Sequence, residues 1–429
     1  MRIRLLALAV FLISASTGAA AEPSRFPLKE SDTWVMVGDS ITAQHLHSNY
    51  FEAFCYARYP KLTFRFRNSG VGGDTIPKVM ARYDWDVAVW QPTVVSVELG
   101  MNDKGGFSTD QFIANMGKLD AMIHTAKARS IYLTSSPVNN GDTTKNIGGN
   151  ARLNEYANAL KKFAATKEAP FADQFHLLLD VWGNNKPNEN LLNTIATLRN
   201  VAKDDKLEGV DHLRKFLDLH AKDKIVSMMG DPVHPGPTGQ LTMAAALLKD
   251  LGAESFVSSV TLDGGKTHAQ DCLVTDLKIE DGKISFIRLD ERLPFPIPDE
   301  ARPVLALYPE ILELSRYTLA VRGLKGNHQL SINGIVIGSV TGDELEKGIN
   351  LTAFEKGPIA EQGKAILAAV SAKEGLVGQA RNLSRTAATS PEAKTNLDAT
   401  LKKIEDLDAK IREAAKPKAL KFELVSKGN

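Results

Sequence analysis

Between residues 33 and 250 the apolar positions switch repeatedly between two periods. Thr33 to Gly38 is a short apolar run closed by glycine, the pattern of a strand buried on both faces. Ile41 to Tyr59 then reads as a helix. Thr63 to Arg67 is strand-like, and Thr93 to Leu99, with Val94, Val95, Val97 and Leu99, is the clearest strand of the chain. Phe112, Met116, Leu119 and Ile123 recur at helical spacing. Ile131 to Ser135 returns to strand and is closed by Pro137. Leu153, Tyr156, Leu160 and Phe163 mark the next helix. Gly236-Pro237 opens a last helix through Met243, Leu247 and Leu251, with proline suited to its first turn. This alternation predicts a parallel sheet with helices on both faces, over residues 33–255. Residues 183–226, rich in Asn and Asp and then weakly helical, interrupt it and read as an insertion.

Near residue 259 the pattern changes. Asp281-Gly282 lies between Leu277-Lys278-Ile279 and Ile284-Ser285-Phe286, and Asn333-Gly334 between Leu330-Ser331-Ile332 and Ile335-Val336-Ile337. Both are strong hairpin signals, so residues 259–345 are expected to form a small antiparallel β module. Residues 358–415 return to helical spacing. Ser390-Pro391 supplies a cap and a first position between two helices, and Leu397, Leu401, Ile404, Leu407 and Ile411 line the second. This helical hairpin is expected to pack on the rest of the chain, with a partner protein as the alternative.

Composition narrows the class. Hydrophobic residues make up 43% of the chain and charged residues 24%, a globular balance. The net charge is +1 and the basic residues are dispersed, which argues against a nucleic-acid partner. The first residues read as a signal peptide over 1–21. Arg2 and Arg4 precede the short apolar run Leu5 to Ala15, and Ala19-Ala20-Ala21 offers a cleavage site before Glu22. Export to the periplasm or the medium is therefore expected, with no membrane span left after cleavage. Of the two cysteines, Cys55 sits in an apolar helical run. Both are expected to be buried free thiols rather than a disulfide, and neither stands beside a base.

Acyl transfer by serine needs a hydroxyl, a base, a group to orient the base, and donors for the oxyanion. Each has a candidate in a loop after a predicted strand or before the last helix, where an open α/β sheet places its site. Ser40, in Gly38-Asp39-Ser40, opens the first helix and is either a helix cap or a nucleophile. In Asn68-Ser69-Gly70-Val71-Gly72-Gly73-Asp74-Thr75, glycines let backbone N–H groups approach a ligand, or simply make a tight turn. Asn102, in Gly100-Met101-Asn102-Asp103, can offer amide hydrogens or an Asx turn. Asp231-Pro232-Val233-His234 puts an acid three residues before a histidine, so that Asp231 can bind one ring nitrogen and leave the other for Ser40.

All four pieces in this order closely resemble the SGNH or GDSL hydrolase superfamily, over roughly residues 33–252. The resemblance implies a flavodoxin-like three-layer α/β/α fold with a shallow, open site and esterase or lipase activity. It implies Ser40 as nucleophile, with Asp231 and His234 completing the triad. It also implies an oxyanion hole of Ser40 N–H, Gly73 N–H and the Asn102 side chain, Gly72 being the neighbour of Gly73. No Gly-x-Ser-x-Gly elbow is present, which separates the chain from α/β-hydrolases.

His45 and His47 fall one turn after Ser40 and are expected to rim the pocket. His124 lies on a helix face. His176, His212, His220, His268 and His328 lack partners at metal spacing, so neither a metal nor a cofactor is implied. The expected substrate is an acylated small molecule or polysaccharide, first of all an acetyl ester on carbohydrate. A lipase, lysophospholipase or thioesterase is the alternative of the same chemistry. A binding or scaffolding protein on a retired hydrolase domain is the alternative of another class. The oligomeric state is left open.

Overall fold

The computed structural model describes residues 26–139, 148–219, 226–228 and 230–427; the expected signal peptide lies outside them. The apolar runs between residues 33 and 172 build one sheet. Strands β1 (Thr33–Gly38), β2 (Arg65–Gly70), β3 (Val94–Glu98), β4 (Arg129–Leu133) and β5 (Phe171–Ala172) pair in parallel, in the order β2-β1-β3-β4-β5. Helices α1 (Ser40–Ala43), α2 (His47–Arg58), α3 (Ile76–Asp86), α4 (Thr109–Thr125), α5 (Ala151–Thr166), α6 (Gln174–Val201), α7 (Val210–Leu219) and α8 (Pro237–Asp250) follow in chain order.

Alternation within β1 makes the three layers. Trp34 and Met36 join a core with Phe51 and Phe54 of α2 and Leu241 and Leu247 of α8. Val35 and Val37 join the opposite core with Val79 of α3, Phe112 and Met116 of α4 and Leu160 of α5. Successive strand residues point to opposite faces, and both faces are covered, hence the unbroken apolar run. Burying each such side chain contributes about 1.5–3 kcal/mol.

Two local readings change. The helix expected over 41–59 is two helices, α1 and α2, separated at His45, whose φ is +58. Gln240 of α8 fills the break. Its Oε1 accepts the His47 N–H at 2.9 Å, and its Nε2 donates to Gln44 Oε1 at 2.6 Å. Residues 183–201 continue α6 without interruption. Phe175, Leu178 and Trp182 are buried on its first half, and Ile195 meets Leu217 of α7 in a small separate core.

Beyond residue 255 lie β6 (Phe256–Asp263), β7 (Lys266–Gln270), β8 (Cys272–Glu280), β9 (Lys283–Asp290), β10 (Arg316–Val321), β11 (Asn327–Ile332), β12 (Ile335–Thr341), α9 (Gly342–Lys347) and β13 (Ile349–Asn350). The hairpin α10 (Pro358–Ala387) and α11 (Pro391–Ala414) follows, then β14 (Leu420–Lys427). The strands form two sheets, β13-β10-β6-β7 and β12-β11-β14-β9-β8, with Val260, Leu319, Phe286, Leu330 and Phe422 in the core between them. Both hairpin turns fall where the Asp-Gly and Asn-Gly pairs predict them, and Asn333 and Gly334 both take positive φ. Two features differ from a simple antiparallel module. β6 and β10 pair in parallel, and β14, from the chain's end, inserts between β11 and β9, stacking Phe422 on Phe286. Both cysteines are free; Cys55 is buried, but Cys272, on the edge strand β8, is only half-buried.

Candidate active site

The carboxyl ends of β1, β2 and β3 lie side by side, Gly38 paired with Gly70 and with Glu98. The loops leaving them carry Ser40, Gly73 and Asn102. Asp39 caps α1 by accepting the Ile41 N–H at 2.9 Å, so Ser40 is held at the helix's first position, half-buried. Gly73 occupies a turn closed by Asp74 N–H to Val71 O at 3.2 Å, and its φ of +75 is a conformation that favours glycine. Val71 N–H donates to Gly38 O at 3.1 Å, tying that turn to the end of β1. The Asn102 amide lies between the two loops. Its Nδ2 donates to Asp74 O at 2.9 Å and stands 3.4 Å from Asp39 Oδ2.

The fourth loop folds onto itself before α8. Asp231 Oδ1 accepts the N–H groups of Val233 and His234 at 2.7 and 2.8 Å, and Gly230 N–H donates to His234 O at 2.8 Å. Asp231 Oδ2 lies 2.8 Å from His234 Nδ1, and His234 Nε2 lies 2.7 Å from Ser40 Oγ. An ionised carboxylate only accepts, so Nδ1 carries the ring proton and Nε2 faces the serine with its lone pair. The backbone N–H groups of His234 and Val233, followed by the His234 ring, hold the Asp231 carboxyl down at about 2. Asp231 thus stays ionised across the neutral and mildly acid range.

Beneath Ser40 lies a set of carboxyls that the sequence did not flag. Burial, and then the neighbouring Asp39, push Glu98 well above its usual range; Glu98 Oε2 accepts the Thr42 hydroxyl at 2.6 Å. Burial raises Asp103 to about 6, while its Oδ1 accepts the Ile76 N–H at the start of α3 at 3.0 Å. Burial likewise raises Asp39 to about 6, opposed by the Ile41 N–H and reinforced by Asp103. A carboxyl raised in the fold weakens it when ionised. The penalty is absent below the ordinary value near 3.8 and complete above about 6. Asp39→Asn keeps an acceptor for Ile41 and removes the charge. It should raise stability at pH 7.5 by about 1–3 kcal/mol, a gain that shrinks as pH falls from 6 to 4. Thermal melting across that range checks this, and a gain of constant size would contradict it.

His47 does not rim the pocket. It is buried beside Gln240 Oε1, 2.7 Å from its Nδ1, and burial lowers it to about 4, so it is a neutral packing residue. His45 is half-buried and ends the first helical turn through its N–H to Thr42 O. His176 has an acidic partner after all, Asp173 Oδ2 at 2.7 Å, but its other nitrogen is taken by Asn154 Oδ1 at 2.8 Å.

The parallel sheet and the loops at its carboxyl edge define an SGNH-type serine ester hydrolase. The model of the GDSL-like lipase/acylhydrolase family matches residues 36–241. An acetylxylan esterase of Geobacillus stearothermophilus is 24% identical over 209 residues, 48% of this chain and 80% of that protein. The solved structure of a gut microbial diltiazem-metabolizing enzyme superposes with a TM-score of 0.70 at 22% identity, over 94% of this chain and 99% of that one. The shared fold therefore extends through the β sheets and the helical hairpin. Among the described residues no helix is long and apolar enough to cross a membrane.

Proposed function

We propose that the chain is an exported esterase that removes short acyl groups, acetyl first, from carbohydrate, with Ser40, His234 and Asp231 as its triad. The observation that carries this reading is the hydrogen-bonded relay from Ser40 Oγ to His234 and on to Asp231, at 2.7 and 2.8 Å. His234 Nε2 takes the Ser40 proton as Oγ attacks the ester carbonyl carbon. The developing oxyanion is held by the N–H groups of Ser40 and Gly73 and by Asn102 Nδ2. One hydrogen of that amide is spent on Asp74 O. The other faces Asp39 Oδ2 across a distance longer than the usual 2.7–3.2 Å, which leaves it available. His234 passes its proton to the departing alcohol, then activates the water that frees the acid. Asp231 stabilises the imidazolium in both steps.

The likeness to an acetylxylan esterase supports acetylated carbohydrate as the substrate. The basic, apolar and small-residue order of residues 1–21 supports export with cleavage near Ala21. Acetate release from acetylated xylo-oligosaccharides, run beside matched acetyl and octanoyl p-nitrophenyl esters, tests the acyl preference. Acetyl should exceed octanoyl in kcat/KM by about tenfold or more. Equal or faster octanoyl turnover with no acetate released would point to a lipase or thioesterase instead.

A further inference from the structure

The helical hairpin lies outside the matched residues 36–241, yet it reaches the loop that carries Gly73. β2 is an edge strand of the first sheet, with β1 as its neighbour. On such an edge every second residue turns its N–H and C=O away from the sheet, and these groups need partners. α10 runs along this edge and supplies them from side chains. Lys373 Nζ donates to Phe66 O at 2.9 Å, the Asn68 N–H donates to Glu374 Oε2 at 3.0 Å, and Arg381 Nη1 donates to Gly70 O at 2.6 Å. α11 adds Asp408, whose Oδ2 lies 2.8 Å from Arg67 Nη2. Lys373, Glu374, Arg67 and Asp408 are all buried, and Glu52 of α2 joins Lys373 at 2.6 Å.

These contacts continue into the site from two sides. Asn68 Nδ2 donates to Thr42 O at 2.8 Å, on the short helix that Ser40 opens, and Asn68 Oδ1 accepts the Gly70 N–H at 2.8 Å. Gly70 abuts that same helix. A Cβ there would stand 2.5 Å from Ala43 N. The loop from Ser69 to Asp74 is then bracketed by two arginines. Arg82 of α3 donates to Ser69 O and to Asp74 Oδ2, each at 2.7 Å, and pairs with Asp86. Arg381 holds Gly70 O from the hairpin side and stands 3.7 Å from the same Asp86. The Gly73 turn is therefore clamped from within the matched domain and from outside it.

We propose that Arg381 is a positioning residue for ester hydrolysis, holding Gly70 so that the Gly73 N–H meets the oxyanion, with Glu374 doing the same through Asn68. The inference rests on the reading of Ser40 and Gly73 given above. Acylation and deacylation both place charge on the same oxygen, so a loosened turn slows kcat rather than weakening substrate binding.

Arg381→Met keeps the apolar stem and removes the donors. Its kcat on p-nitrophenyl acetate, measured well below its melting temperature, should fall about tenfold or more with KM within about twofold. Arg381→Lys, which restores a donor to Gly70 O, should recover most of the loss. Arg381→Gln serves as the second variant should Arg381→Met not fold, with the same loss expected. A folded Arg381→Met or Arg381→Gln enzyme with parental kcat overturns the proposal, as does an Arg381→Lys enzyme no faster than Arg381→Met. Ser40→Ala is assayed alongside. If Ser40→Ala keeps parental turnover, the underlying reading of the site has failed. If it is inactive while Arg381→Met works normally, only the clamp has failed.

Discussion

Replacing Ser40 with alanine is expected to lower turnover of p-nitrophenyl acetate by about 10⁴–10⁶-fold, and His234→Ala by a similar factor. The two side chains act as one unit across 2.7 Å, so the double variant should be little worse than either single one. Asp231→Ala should cost less, because Ser40 and His234 keep their contact while the imidazolium loses its partner. Protein stability should change little with Ser40→Ala, since its hydroxyl is half exposed and holds no core group. Steady-state rates beside melting curves separate lost chemistry from lost fold.

The second large effect is expected at Asn102. Asn102→Ala should reduce kcat by about 10²–10³-fold, or about 2.7–4 kcal/mol of barrier, with a much smaller change in KM. Asn102→Asp should be worse than Asn102→Ala. It would place a fourth carboxyl beside Asp39, Asp74 and Asp103, where burial already raises Asp39 and Asp103 to about 6. Steady-state kinetics of the two variants on one acetyl ester check both the size and the order. An Asn102→Ala enzyme at parental kcat would remove the side chain from the oxyanion hole.

The grouping of the candidate site was legible because its residues interrupt strong patterns. Ser40, Gly73, Asn102 and the Asp231–His234 loop each follow or precede an apolar segment whose period identifies it, so their place at one sheet edge follows from alternation alone. The helix break at His45 was not legible, because it depends on Gln240, nearly two hundred residues away, satisfying the freed backbone. β14 could have been read. Leu420, Phe422 and Leu424 alternate with Lys421 and Glu423, a clear strand period, but the segment follows a long helix and pairs with strands more than eighty residues earlier.

The buried carboxyls and the hairpin clamp escaped for a related reason. Asp39 and Glu98 lie at the ends of strands, and burial first, then neighbouring carboxyls, raises them. Glu374 and Arg381 read as ordinary charges on a surface helix. What distinguishes them is contact with Asn68 and Gly70 across some three hundred residues of sequence. Local period predicts which face of an element is buried. It carries no information about which distant backbone group a long charged side chain will satisfy.

The claim that Ser40 is the nucleophile is tested most directly by labelling the full chain with a fluorophosphonate and locating the adduct by peptide mass spectrometry. One covalent adduct on Ser40 is expected, with esterase activity lost in proportion to labelling and no adduct on the Ser40→Ala variant. An unlabelled Ser40 in active enzyme, or an adduct on another residue that tracks the loss of activity, would contradict it.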